Sequence, residues 1–116
     1  MKKLFQIAVS LLIIAGLNSC DKDDDPVVPV TPTTTIDVLS MSYSPANKTV
    51  AKGTIVTWRN TDVTTHTATS DDATTFDTGN IAAGGTKTYT ANTPGSYPYH
   101  CTIHGVTMAG TLIVNP

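Results

Sequence analysis

"SYPYHCTIHGVTMAG", residues 96–110, holds one cysteine between two histidines, with a methionine a few residues further on. Read with a period of two, Tyr97, Tyr99 and Cys101 fall on one side of an extended chain, and Pro98 and His100 on the other. Two aromatics beside a cysteine make the first set the inward one, so His100 is expected to face out. In "MAGTLIV" (108–114), Met108, Gly110, Leu112 and Val114 share a side, again the apolar choice. Cys101 then ends one inward row as its strand runs up, and Met108 begins another as the chain runs down. Both belong to the same end of the fold, with His104 in the turn between them.

From Ile36 on, the chain reads as all-β. Threonine is abundant, helix-period stripes are absent, and short β-rich runs alternate with turn residues. Strands are predicted near 36–43, 48–51, 54–60, 66–69, 86–91, 96–101 and 108–114, with Asp77–Thr78–Gly79 as a short edge strand. Turn signals separate them: Pro45–Ala46–Asn47, Lys52–Gly53, Asn60 to Asp62, Gly84–Gly85, and Asn92 to Gly95. Seven to eight short strands at this spacing predict a β-sandwich. Trp58, two residues after Val56, is assigned to its core.

The domain is taken as residues 36–116, because what precedes it has another character. Lys2 and Lys3 open the chain, and an apolar run of 14 residues follows, Leu4 to Leu17. That run is too short for an ordinary membrane-spanning helix and reads as a signal peptide, residues 1–19. It ends in "LNSC", which resembles a bacterial lipoprotein signal, with acyl chains expected on Cys20. Each buried CH₂ would add roughly 0.8 kcal/mol of membrane affinity. "DKDDDPVVPVTPTTT" (21–35), with four Asp, three Pro and four Thr, cannot bury a core. Residues 20–35 are read as a lipidated tether. The acidic run also resembles a surface-export signal of some Gram-negative lipoproteins. The expected location is the bacterial cell envelope, anchored to the outer membrane on its periplasmic face or at the cell surface.

Residues 36–116 carry four basic side chains (Lys48, Lys52, Arg59, Lys87) and five acidic ones (Asp37, Asp62, Asp71, Asp72, Asp77), a net charge of −1. Four scattered cations make a poor nucleic-acid surface, so no nucleic-acid partner is expected. With Cys20 assigned to lipid, Cys101 has no partner for an internal disulfide. An exported domain of this size is near the lower end of independent stability, and a bound metal would supply what a disulfide does not.

Taken alone, Cys-x₂-His fits zinc, a redox thiol, or a buried cysteine acting as a small hydrophobe. Met108 and the upstream His66 extend the set to two imidazoles, a thiolate and a thioether. That combination suits a blue-copper electron-transfer centre, a trigonal His₂Cys with a long axial Met. Structural zinc takes four strong ligands, and Met is a poor fourth. Asp71 to Asp77 lacks an EF-hand's ligand spacing and reads as a solvated loop. No G-x-S-x-G, H-E-x-x-H or P-loop is present. An enzymatic role is therefore not expected.

The chain resembles the cupredoxins of the plastocyanin, pseudoazurin and amicyanin type. The likeness rests on "YSPANKTVAKGTIVTWRNTD", then His66, then "FDTGNIAAGGTKTYTANTPGSYPYHCTIHGVTMAGTLIV". It implies a Greek-key β-sandwich with one type 1 copper per chain, held by His66, Cys101, His104 and Met108. Three residues separate His104 from Met108, where the family commonly has two or four. Three histidines are too few for the further copper cluster of a multicopper oxidase. The implied function is that of a membrane-tethered, monomeric one-electron carrier serving redox partner proteins through Cu(I)/Cu(II). The alternative is a copper store or delivery module.

Overall fold

The computed structural model describes residues 29–116; the leader, Cys20 and the acidic run after it lie outside them. Eight strands follow in order: β1 Thr33–Leu39, β2 Ser42–Ser44, β3 Asn47–Ala51, β4 Thr54–Asn60, β5 Thr69–Ser70, β6 Thr86–Ala91, β7 Gly95–Cys101 and β8 Gly105–Asn115. They form two four-stranded sheets, ordered β2-β1-β4-β6 and β3-β8-β7-β5. Both are mixed: β1 with β4 and β3 with β8 run parallel, and the other pairs antiparallel. Every chain connection from β2 to β7 crosses from one sheet to the other. This is the all-β sandwich the sequence predicts, and no helix occurs among the described residues.

Three local readings differ. The predicted strand 36–43 is broken by a turn at Ser40–Met41, where Met41 takes φ 61. The chain doubles back there, and Val38 faces Tyr43 across an antiparallel pair. The first strand also starts earlier, at Thr33. Thr33–Thr35 pair in parallel with Ile55–Thr57, so the sheet takes in the last residues of the segment read as tether. Finally, 66–69 is not one strand. Only Thr69–Ser70 pair with β7, while His66 and Thr69 form single bridges to Ile81 and Asp77. The segment around Asp77 contributes that bridge and no edge strand.

The inward rows fall as the alternation requires. Tyr99 and Cys101 on β7, and Met108, Leu112 and Val114 on β8, are buried against Val56 and Trp58 of β4 and Ile36 and Val38 of β1. An aromatic cluster sits between the sheets. Trp58 stacks on Phe76 at 5.2 Å and meets Tyr99 edge-on at 5.6 Å, and Tyr43 meets Tyr99 at 4.7 Å. Such pairs add roughly 0.5–1.5 kcal/mol each beyond area burial. Gly110 stands opposite Tyr99 in the β7–β8 register. A Cβ at Gly110 would lie 2.8 Å from the Tyr99 ring and 2.7 Å from the Ala46 carbonyl oxygen. Glycine is therefore required by close approach, and it seats β8, with Met108 at its inner end, firmly on β7.

Candidate metal centre

Two loops at one end of the sandwich supply the site. The upstream loop runs from β4 to β5 and carries His66, whose backbone is tied to Ile81 in both directions, at 3.2 and 2.7 Å. The downstream loop joins β7 to β8. Its ladder pairs His100 with Ala109 and then jumps to Cys101 with Gly105, leaving Val106 to Met108 as extra residues on β8. Gly105 has φ +78, a conformation strained for any L side chain, and it closes the turn that holds His104.

The result is a triangle of donors. Cys101 Sγ lies 3.4 Å from His104 Nδ1 and 3.9 Å from His66 Nδ1, and all three atoms fall within 4.8 Å of one another. Donors bound in a plane to one ion at about 2.0–2.3 Å stand roughly 3.5–4 Å apart. The two sulfur–nitrogen separations match that spacing, so these residues fit a metal ion. Cys101 is 0% exposed, His66 1%, and His104 half-buried. Met108 is 0% exposed on the inward row of β8, at the same end of that sheet. His100 stays out of the cluster: its Nδ1 pairs with Asp71 Oδ1 at 2.6 Å on the outer side. The outward phase expected for it is observed.

Hydrogen bonds around the triangle prepare it for a cation. Burial pushes the Cys101 thiol up, but hydrogen bonds led by the Thr67 N–H and joined by His104 outweigh it and bring the group down to about 6. On the far side of His66, Nε2 contacts Asp62 Oδ2 at 2.8 Å. An acceptor there fixes the Nε2–H tautomer and leaves the Nδ1 lone pair facing the sulfur. The His66 hydrogen bond, with those from the Val63 N–H and the Thr64 hydroxyl, holds the Asp62 carboxyl below the usual carboxylate range. Asn60, fully buried, shapes this loop. Its side chain donates to the Thr64 and Ile81 carbonyls and accepts from the Asp62 N–H.

A two-sheet sandwich with a His₂Cys triangle at one end is the architecture of a small mononuclear metal domain. The chain belongs to the cupredoxin-like domain family, which matches residues 7–114. Among solved structures it is similar to a purple cupredoxin from Nitrosopumilus maritimus, at 26% identity and TM-score 0.63, covering 70% of this chain and 98% of that one. It is also similar to the Cu(I) form of an amicyanin mutant, at 25% identity and TM-score 0.66, covering 76% and 86%. An oxidised amicyanin mutant shares the fold at 24% identity and TM-score 0.67, covering 75% and 86%. No curated protein sequence matches the chain.

Sequence reasoning singled out His66, Cys101, His104 and Met108, and the fold brings the first three into contact. It treated Asn60 and Asp62 as turn residues only. The spacing of Asp62 four residues before His66 was the available signal, but a loop gives that interval no fixed direction.

Asp62→Ala is expected to free the His66 tautomer and weaken metal binding by about 10–100-fold. Ring-nitrogen NMR of the metal-free protein checks the first effect; a single Nε2–H tautomer in both proteins would rule it out. For Cys101, thiolate absorbance in the metal-free protein should titrate with a midpoint of about 6, below the ~8.5 of a free thiol. Between those values the unfolded chain holds a proton that the folded chain has lost. Stability from this group is therefore present above the free-thiol value and is lost as pH falls through about 6. Denaturant midpoints across the window measure it, and a flat profile would mean that the hydrogen bonds to sulfur do not persist in solution.

Proposed function

We propose that this chain is a type 1 copper electron carrier, in which His66, Cys101 and His104 would hold the copper and Met108 would add a weaker fourth donor. The observation that carries the reading is the Sγ and two Nδ1 triangle, with the thioether residue Met108 buried at the same end of the sheet. Bound there, copper supplies a Cu(I)/Cu(II) couple. The chain's part is to hold the donors still and exclude water, so that little has to rearrange when the oxidation state changes. Thiolate and thioether suit Cu(I) and imidazole suits Cu(II), so the mixed set tolerates both.

His104 is the half-exposed member of the set, and its neighbours offer a contact face. Ile103 and Val106 flank it on the same loop at 50% and 76% exposed, and Val63 on the His66 loop is 86% exposed. A small apolar rim around a partly open ligand suits brief encounters with redox partners better than a tight complex. Burial of Cys101 and His66 favours retention of the ion over its delivery. The role is that of a carrier, not a catalyst.

We further propose that Cys20 carries lipid and that the acidic, proline-rich segment after it tethers the head to a bacterial outer membrane. Fractionation of cells expressing Cys20→Ser tests this: the variant should leave the membrane or accumulate as an uncleaved precursor. Processing and membrane retention like wild type would exclude the anchor.

For the centre itself, the Cu(II)-loaded head should show an intense blue thiolate-to-copper band that Cys101→Ser abolishes. A colourless wild-type complex, or a variant that stays blue, would reject the assignment. Met108→Leu, a near volume-conserving change, should leave the protein blue but raise its reduction potential, because Cu(II) loses a donor. An unmoved potential by voltammetry would remove Met108 from the ligand set.

A further inference from the structure

The two ligand loops are tied to each other through one residue, and that residue is held from the opposite sheet. Thr67 follows His66. Its N–H donates to Cys101 Sγ at 3.4 Å, and its hydroxyl oxygen accepts the Thr102 N–H at 2.9 Å. It therefore clasps the His66 loop to the end of β7 at two successive positions. Its carbonyl points the other way and accepts the Tyr43 hydroxyl at 2.5 Å. Among the described residues no second donor reaches that carbonyl. Tyr43 belongs to β2, the edge strand of the other sheet, and is 3% exposed.

We propose that Tyr43 is a positioning residue of the centre: by holding the Thr67 carbonyl, its hydroxyl anchors the backbone on one side of the Thr67 Cα and so steadies the N–H···Sγ hydrogen bond on the other, which sets how strongly the Cys101 thiolate donates to bound copper. The second half rests on the copper reading above; the first concerns the protein alone. A hydrogen bond draws electron density from the sulfur and makes it a weaker donor to Cu(II), so a firmly held N–H raises the reduction potential. Tyr43 has a separate packing role through its edge contact with Tyr99. The ring serves that contact without the hydroxyl, so removing the oxygen alone separates the two roles. Burial, and then the nearby Cys101 charge, push the ionisation of Tyr43 far up, so its hydroxyl remains a donor throughout the working pH range.

Tyr43→Phe is the test, read in two ways. In the metal-free proteins, hydrogen exchange at the Thr67 amide should be faster in the variant, on the order of tenfold, with Leu112 in the β7–β8 ladder unchanged. In the copper-loaded proteins, the variant should stay blue, with a lower reduction potential and its charge-transfer band at longer wavelength. Equal Thr67 protection, or an unmoved potential and band in a blue variant, would overturn the proposal. If neither protein turns blue, the copper reading fails, and the exchange comparison still decides whether Tyr43 holds the clasp. Should the variant not fold, wild type suffices: a Thr67 amide exchanging as fast as that of exposed Val106 would refute it.

Discussion

Three donor atoms from loops 35 residues apart stand within 4.8 Å of one another with no disulfide to hold them there, and much of the sandwich can be understood from that demand. Cys101 and His104 come from the second sheet, on a hairpin whose two strands are locked by the Tyr99–Gly110 contact. His66 comes from a strap that leaves the first sheet after β4 and enters the second at β5. The separation of the sheets therefore enters the geometry of the site. That separation is set by Tyr43, Trp58, Phe76 and Tyr99, large rings packed beneath the donors and at most 6% exposed. A cavity in that cluster would be felt as a change in donor spacing as well as a loss of stability.

Charge is arranged with the same economy. The thiolate neutralises part of an incoming cation, so burying the pair costs less than burying a bare ion. Asp62 lies behind His66, where its carboxylate acts through the imidazole without occupying a ligand position. Beyond the site, the four cations and five carboxylates of residues 36–116 leave the head with little net charge. Long-range steering is then weak, and on the proposed reading recognition falls to the apolar rim around His104. Such a rim, with few charge pairs to break, favours the fast dissociation a carrier needs.

The parts of this arrangement legible in the sequence were those governed by strand periodicity. In "YPYHC" and "MAGTLIV" a period of two fixes which residues face in, and one buried face leaves no alternative phase. The break at Ser40–Met41 was not legible, because Leu39–Ser40–Met41–Ser42 contains no Gly, Pro or Asn to mark a turn; only the pairing of Tyr43 with Val38 demands it. "HTAT" has strand composition, yet its backbone divides its pairing between single bridges to Asp77 and Ile81, the Cys101 sulfur and the Tyr43 hydroxyl, a set of long-range choices that local propensity does not contain. The same holds for Asn60, Asp62, Thr67 and Tyr43. Each is an ordinary polar or aromatic residue in sequence, and each matters at the centre only through a partner that the fold supplies.

The lone Cys101 shows how these levels meet. Its thiol, drawn down to about 6, is ionised at neutral pH and so intrinsically reactive. Complete burial under two imidazoles restricts access to it. The same hydrogen bonds that favour the thiolate prepare it as a ligand, so protection and function are not in conflict. They also bear on stability. An ion that binds only the folded chain stabilises it by mass action. The more nearly the donors are placed before the ion arrives, the less ordering it must impose, and the more of its binding free energy appears as folded stability. A strap fixed by Ile81, Asn60 and Thr67 is thus both the framework of the candidate metal site and the route by which a metal can do the work of the absent disulfide.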